Sequence, residues 1–444
     1  MNILMRPVGL LLATGLGLLL ACGEDGDDDP GAGNGHGGAA AQGGSQSSGK
    51  GGAQALGGSG GNAGGVSACD EDAAGAPGKV GCSPCSASDG KCIFRHDTFG
   101  DEQLWTDTLR LNELVQTLAP TAALALGLKV DSEAVPAEVL ASADLTAPAT
   151  TVALLGLNAV VGVRAQISAA GSVERIGITC ALCHSTVDDS VMKGVGKRLD
   201  GWPNRDLDPG KIIAATPGVG TFAADLGVPV ATAQAALNSW GPGRYDARFN
   251  QDKQSNPVLL PPAYGLEGVA LETYTGEGPV SYWNAYVAVT QMGAHGNFSD
   301  ERLGIDIRHD PDRVTPMLPA LREYQFSLAA PPPPAGSFEQ SAAERGRVLF
   351  EGAAKCSSCH SGPKFTDAPE LHEPTPGIDT VEAERSLTKK YRATPLKGAW
   401  QHPPYFHDGS AATFADVVQH YDTTLALKLN KAQQADLVQY LLSL

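Results

Sequence analysis

Apolar residues at the end of the chain recur with helical spacing. In "NKAQQADLVQYLLSL", Leu437, Tyr440, Leu441 and Leu444 stand at i, i+3, i+4 and i+7, which predicts an amphipathic helix. "TFADVVQHYD" repeats the pattern with Phe414, Val417, Val418 and Tyr421, and Thr413 with Asp416 three residues on reads as its N-terminal cap. On that helix Tyr421 lies about 20° from Phe414, near the middle of the apolar face, and His420 falls about 120° away on the flank. A third helix is predicted within "SFEQSAAERGRVLFEGAAK", capped by Ser337 or Ser341, with Val348, Leu349 and Phe350 on its apolar side. "DEQLWTDTLRLNELVQTLA" is also helical by periodicity. "AVVGVRAQISAAGSVERIGITC" instead predicts a β-hairpin with its turn at Ala169–Ser172. "GKRLDGWPNRDLDPG" and "SWGPGRYDARFNQDKQSNP" read as loops, and "PPPP" at 331–334 as an extended linker.

The start of the chain has a different character. Arg6 precedes an apolar run at 8–21 that is too short for a good membrane span and ends in "LLAC". This resembles a bacterial lipoprotein signal, cleaved before Cys22 so that Cys22 carries the lipid; a plain secretory signal with an incidental Cys22 is the alternative. Residues 23–67 are Gly-rich and read as a flexible tether. The expected location is the bacterial cell envelope, on the periplasmic or outer surface, anchored to a membrane through Cys22. A formal charge of −17 argues against a nucleic-acid partner.

Of nine cysteines, Cys69, Cys82, Cys85 and Cys92 cluster in a loop-rich segment at 68–94. In an oxidising compartment they predict two disulfides with the pairing open; a four-Cys metal site is the alternative. Four others form two C-x-x-C-H motifs, Cys180-Ala-Leu-Cys183-His184 and Cys356-Ser-Ser-Cys359-His360. Two thiols at that spacing reach the two vinyl groups of a porphyrin, and the following histidine falls beneath the iron. With nine Cys and ten His in 444 positions, chance supplies roughly 0.004 such motifs. The expectation is two covalently attached haem c groups, with His184 and His360 as proximal ligands. The segment 337–444 resembles a class I cytochrome c domain, in which the first and last helices cross at a small residue, here Gly346 against Tyr440. The fold expected is mainly α, two tandem cytochrome c-like haem domains. The first, 95–330, is elaborated with the β-hairpin and long loops, and 331–336 links it to the second.

A loose repeat relates "NPVLLPPAYGLEGVALETYTGEG" at 256–278 to "TPLKGAWQHPPYFHDGSAA" at 394–412, pairing Gly276 with Gly409 and bringing Tyr274 level with Phe406 and His407. These segments, the two motifs, "TFADVVQHY" and "VTQMG" at 289–293 resemble the bacterial dihaem cytochrome c peroxidase superfamily, whose relatives include the methylamine dehydrogenase maturation enzyme and the dihaem rubber oxygenases. The resemblance implies a reactive first haem with an open or switchable sixth position, a second haem that relays electrons, and an aromatic residue between them. Tyr274 resembles that aromatic in position, with Trp283 as a rival, and core packing serves either equally well. It also implies calcium between the domains. Gln291 stands where these peroxidases have a glutamate beside Met-Gly; an amide orients a hydrogen bond but does not shuttle a proton. His295 reads as a distal ligand or acid–base group, or as a loop histidine in solvent.

The chain's methionines are Met1, Met5, Met192, Met292 and Met317, so none lies C-terminal to His360 to complete His/Met coordination. A His, a Tyr or no ligand remains for the second haem. Helical phase favours Tyr421, and the resemblance places Tyr421 where the peroxidases have their methionine ligand. His407 is assigned a supporting role near the propionates or the domain interface. Two functions fit: an oxidoreductase acting on peroxide or O2 at the first haem, or a pure electron carrier with both irons six-coordinate. Either would exchange electrons with small redox proteins, cytochromes or cupredoxins.

Overall fold

The computed structural model describes residues 84–444. The expected signal, tether, Cys69 and Cys82 lie outside the described residues. Cys85 and Cys92 are joined in a disulfide, which removes two of the four clustered cysteines from a metal site. The architecture is mainly helical, with six two-stranded ladders among the described residues.

The C-terminal part follows its apolar pattern. Helix Gln340–Glu351 packs against the last helix, Lys431–Leu442, with Phe350 and Tyr440 edge to face at 5.2 Å. Gly346 sits at the crossing: a Cβ there would collide with the Asp436 carbonyl and stand 2.8 Å from the Tyr440 Cβ. Helix Phe414–Thr424 carries the expected capping box between Thr413 and Asp416, and Lys431–Leu442 has an equivalent one from Asn430 and Gln433. Two expectations need correction. The cap of Gln340–Glu351 is Glu339, whose carboxylate accepts the Ser341 and Ala342 amides, because an acid satisfies the orphan N–H groups better than either serine. Val348 points outward, 61% exposed, since the helix presents Ala342, Ala343, Gly346 and Phe350 to its partner.

The N-terminal part is built around the hairpin Val163–Ile167 with Val173–Ile178. Gly162, with φ +74°, lets it approach the Leu182 backbone, which any side chain there would strike. The helix expected around Gln103–Thr117 is broken: one turn of π-helix, Gln103–Thr108, is followed by Arg110 in the left-handed region and then by Leu111–Thr117. Thr106 explains the irregular turn, because its hydroxyl donates to the Ile176 carbonyl and accepts the Ile176 amide, tying the helix to the hairpin.

The weak sequence repeat is a precise backbone duplication at an offset of 133 residues. Isolated bridges join Glu272 to Gly278 and Tyr405 to Ala411. Within each, the second residue has positive φ (Thr273 +61°, Phe406 +63°), and so does the fifth (Gly276 +59°, Gly409 +72°). A ladder precedes each turn, Arg244–Tyr245 with Val258–Leu259 and Leu371–His372 with Tyr391–Arg392, and a helix follows, Val280–Val287 and Phe414–Thr424. The two copies face each other through exchanged hydrogen bonds. The Leu259 amide donates to the His407 carbonyl at 2.7 Å, and the Arg392 amide, 133 residues on from Leu259, donates to the Tyr274 carbonyl at 2.8 Å. This is the reciprocity of a two-fold interface, built within one chain.

A buried ionic cluster reinforces the junction. Arg248 meets Glu277 at 2.6 Å and Glu382 at 3.2 Å, and Arg385 meets Asp246 and Asp252. Two guanidinium groups thus serve four carboxylates. Burial, with the Asp246 charge adding to it, raises Glu382 to about 7. An acid raised in the fold contributes stability that is full below its ordinary value of 4.5 and is lost as pH rises through about 7. Glu382→Gln should flatten the decline of unfolding free energy across that window; an unchanged slope in denaturant titrations would exclude this group as its source. Gly346→Ala should lower stability by about 1–3 kcal/mol, read by the same titrations, because neither the Asp436 carbonyl nor the Tyr440 Cβ can withdraw cheaply.

Candidate haem sites

Each C-x-x-C-H motif forms a tight turn in which the histidine amide donates to the carbonyl of the first cysteine, His184 to Cys180 at 3.1 Å and His360 to Cys356 at 2.9 Å. In both, Nδ1 of the histidine faces a backbone carbonyl: His184 that of Pro261 at 3.1 Å, His360 that of Phe365 at 3.0 Å. Such a bond fixes the ring and leaves Nε2 as the ligating nitrogen. Thr394, the duplicate of Pro261, also turns its carbonyl to the His360 ring. Burial lowers both imidazoles, which favours the neutral form a metal requires.

Beside the second motif lies a cavity of about 1260 Å³. Cys356, Cys359 and His360 stand on its wall, with Phe350, Val418, Leu437 and Leu441 among its apolar lining. Tyr421 opens onto the same space, and among the described residues its hydroxyl has no hydrogen-bond partner. Burial first, and then the Cys356 and Cys359 thiols, push its phenol up to about 12. His420 does not line the cavity; it packs edge-on against Phe406 at 5.0 Å, with its Nε2 buried and unpartnered. His407 is buried at the junction, its Nε2 3.1 Å from the Tyr391 hydroxyl and 3.3 Å from Asp379. Tyr274 reaches the cavity from the N-terminal copy, its ring 6.0 Å from that of its duplicate His407. Trp283 does not line it; it packs edge-on against Tyr282 and Tyr286.

At the first motif the two cysteines are partly exposed, as they are at the second. Burial raises the Cys180 and Cys183 thiols to about 12 each. Tyr245 is half-buried near Cys183, with its ring 5.1 Å from Trp240, and donates its hydroxyl hydrogen to the Gln291 carbonyl at 3.2 Å. The Gln291 amide in turn donates to Asn250 at 3.3 Å and Thr290 at 2.9 Å. Gln291 thereby shares a network with a residue beside the motif. His295 does not: its ring meets the Asp310 carbonyl at 3.5 Å and the His309 ring at 4.5 Å.

Two contributors escaped the sequence reading. Arg205 enters the second cavity from the loop that follows the first motif, and its Nη2 donates to the His402 carbonyl, 197 residues away, at 3.2 Å. Its Nε and Nη1 are buried without partners. His402 lines the cavity beside it, lowered to about 3 by burial and by the Arg205 charge. No local pattern announces either residue. The second site therefore fits haem c in every respect available to the chain: paired thiols, a histidine held by Nδ1, an apolar enclosure, and an orphaned guanidinium suited to a carboxylate. The first offers the same thiol and histidine donors.

A cytochrome c family model matches residues 343–444. No curated protein matches the chain. Among solved structures, hydrazine synthase of Kuenenia stuttgartiensis under xenon pressure is 19% identical, covering 43% of this chain and 73% of that one, with a TM-score of 0.32. A MauG-like protein associated with microbial copper homeostasis is 18% identical over 43% of this chain and 74% of its own, with a TM-score of 0.31. The C-terminal segment is a cytochrome c domain, which implies covalently bound haem c and a haem-based redox function. Tyr421→Phe should change the ligand-field and Soret bands of the haem on Cys356 and Cys359; an identical spectrum would remove Tyr421 from the iron.

Proposed function

We propose that this chain is an exported dihaem c-type cytochrome of the peroxidase superfamily, an oxidoreductase whose first site meets peroxide or O2 and whose second site relays electrons. The observation that carries the reading is the duplication. Counting 133 residues back from Tyr421 gives Ala288, buried at the end of the equivalent helix. Neither Ala288 nor its neighbours Val287 and Val289 has a side chain able to ligate a metal. The second site is thus furnished with a phenol where the first has only a methyl group, which supports a closed relay site and an open reactive one.

When bound, haem c supplies one-electron chemistry at iron. The chain's own groups do the rest. Pro261 and Phe365 orient His184 and His360, and Tyr421 presents its phenol to the second cavity. Gln291 holds Tyr245 through its carbonyl, while both amide hydrogens are engaged by Asn250 and Thr290. Gln291 therefore acts as a positioning residue and not as a proton shuttle. That same saturation favours the second reading, a pure electron carrier. The Cys85–Cys92 disulfide supports a location outside the cytoplasm, in keeping with a lipid anchor on Cys22 and small redox proteins as partners.

An electron paramagnetic resonance spectrum of the oxidised protein separates the two. The proposal expects a high-spin ferric signal that peroxide bleaches, beside a low-spin one. Two low-spin signals indifferent to peroxide would establish the carrier.

A further inference from the structure

Arg205 has an unusual set of surroundings. It belongs to the loop 201–207, which is tied to the first motif by two backbone bonds: the Gly201 amide donates to the His184 carbonyl at 2.8 Å, and the Asn204 amide to the Cys183 carbonyl at 2.9 Å. Its side chain nevertheless reaches the cavity of the second motif. There Tyr264 and Tyr274 flank it, the Tyr274 phenol near enough to interact with the guanidinium but not in bonding geometry to Nε or Nη1, and the His402 carbonyl accepts from Nη2. Among the described residues no carboxylate lies within ion-pair distance of it. Arg392, on the same wall, is different, because Glu272 neutralises it at 3.0 Å. A buried guanidinium with two unpartnered N–H-bearing nitrogens is costly unless an anion completes it.

We propose that Arg205 binds a propionate of the haem attached to Cys356 and Cys359, so that a loop anchored on the first motif grips the second haem and sets its potential. Haem c brings two carboxylates at the edge opposite its thioethers, and the planar fork of an arginine matches one of them. A cation held against the haem in a buried site favours the reduced form, because it disfavours the additional positive charge of ferric iron. The loop thereby connects the two motifs: Gly201 and Asn204 bond the His184 and Cys183 carbonyls, and Arg205, next in the chain, holds the propionate.

The inference rests on the reading of the second motif as a haem site, and the test separates the two. Peptide mass mapping of the wild-type protein establishes whether Cys356 and Cys359 carry haem; their absence from haem-bearing peptides would overturn that reading and this proposal with it. With haem present, spectroelectrochemical titration of Arg205→Met should show a lower midpoint potential for that haem, with a shift of the propionate bending modes in resonance Raman. Arg205→Lys, which keeps the charge, should recover most of the potential but not the bidentate Raman signature. A potential and propionate modes equal to wild type in Arg205→Met would overturn the assignment, as would a shift confined to the haem of the first motif.

Discussion

Two exchanged hydrogen bonds organise this molecule: Leu259 to the His407 carbonyl, and Arg392 to the Tyr274 carbonyl. Each is an ordinary backbone bond, worth about 0.5–1.5 kcal/mol net. Their force lies in what they align. Because donor and acceptor in one bond are the duplicates of those in the other, the two halves meet with their ladders and glycine turns in register. Pro261 and Thr394 follow Leu259 and Arg392 by two residues each; the Pro261 carbonyl faces His184 at 3.1 Å, and the Thr394 carbonyl joins that of Phe365 at the His360 ring. The interface thus positions the groups that orient both motif histidines. The buried cluster of Arg248, Arg385 and their four carboxylates closes the same junction from one side. Breaking one partner of such a cluster is expensive, which holds the junction together.

Within that symmetric frame the two copies have diverged in chemistry. One helix carries Tyr421 at the position where the other carries Ala288, and the second ladder carries His372 where the first carries Tyr245. The N-terminal copy spends its polar side chains on one another, in the Tyr245–Gln291–Asn250–Thr290 network, whereas the C-terminal copy leaves a phenol unpaired in a large cavity. Duplication explains why two motifs sit in similar backbones. Divergence at a few side chains explains why they are proposed to do different work.

Much of this was legible locally. The caps at Thr413 and Asn430, the crossing at Gly346 and the phase that sets Tyr421 beside Phe414 and His420 on the flank all follow from helix geometry over a few residues. The Glu339 cap is not legible locally, because Ser337 and Ser341 are equally good cap residues by type, nor is the exposure of Val348, because an apolar residue at a helix edge packs only where a partner covers it. The break at Arg110 was invisible because the hydrogen bonds that impose it come from Ile176, far along the chain.

The motifs, the absence of a methionine after His360 and the faint repeat were determined by the sequence alone, since each depends on residue identity and spacing. The tertiary structure decided what those features meet. That the repeat is a face-to-face pair, that Tyr274 opposes His407, that Gln291 has no hydrogen to spare and that Arg205 enters the cavity of the other motif are all consequences of contacts between residues tens to hundreds of positions apart. Such contacts are selected by the packing of the whole chain, and no periodicity within a segment can encode them.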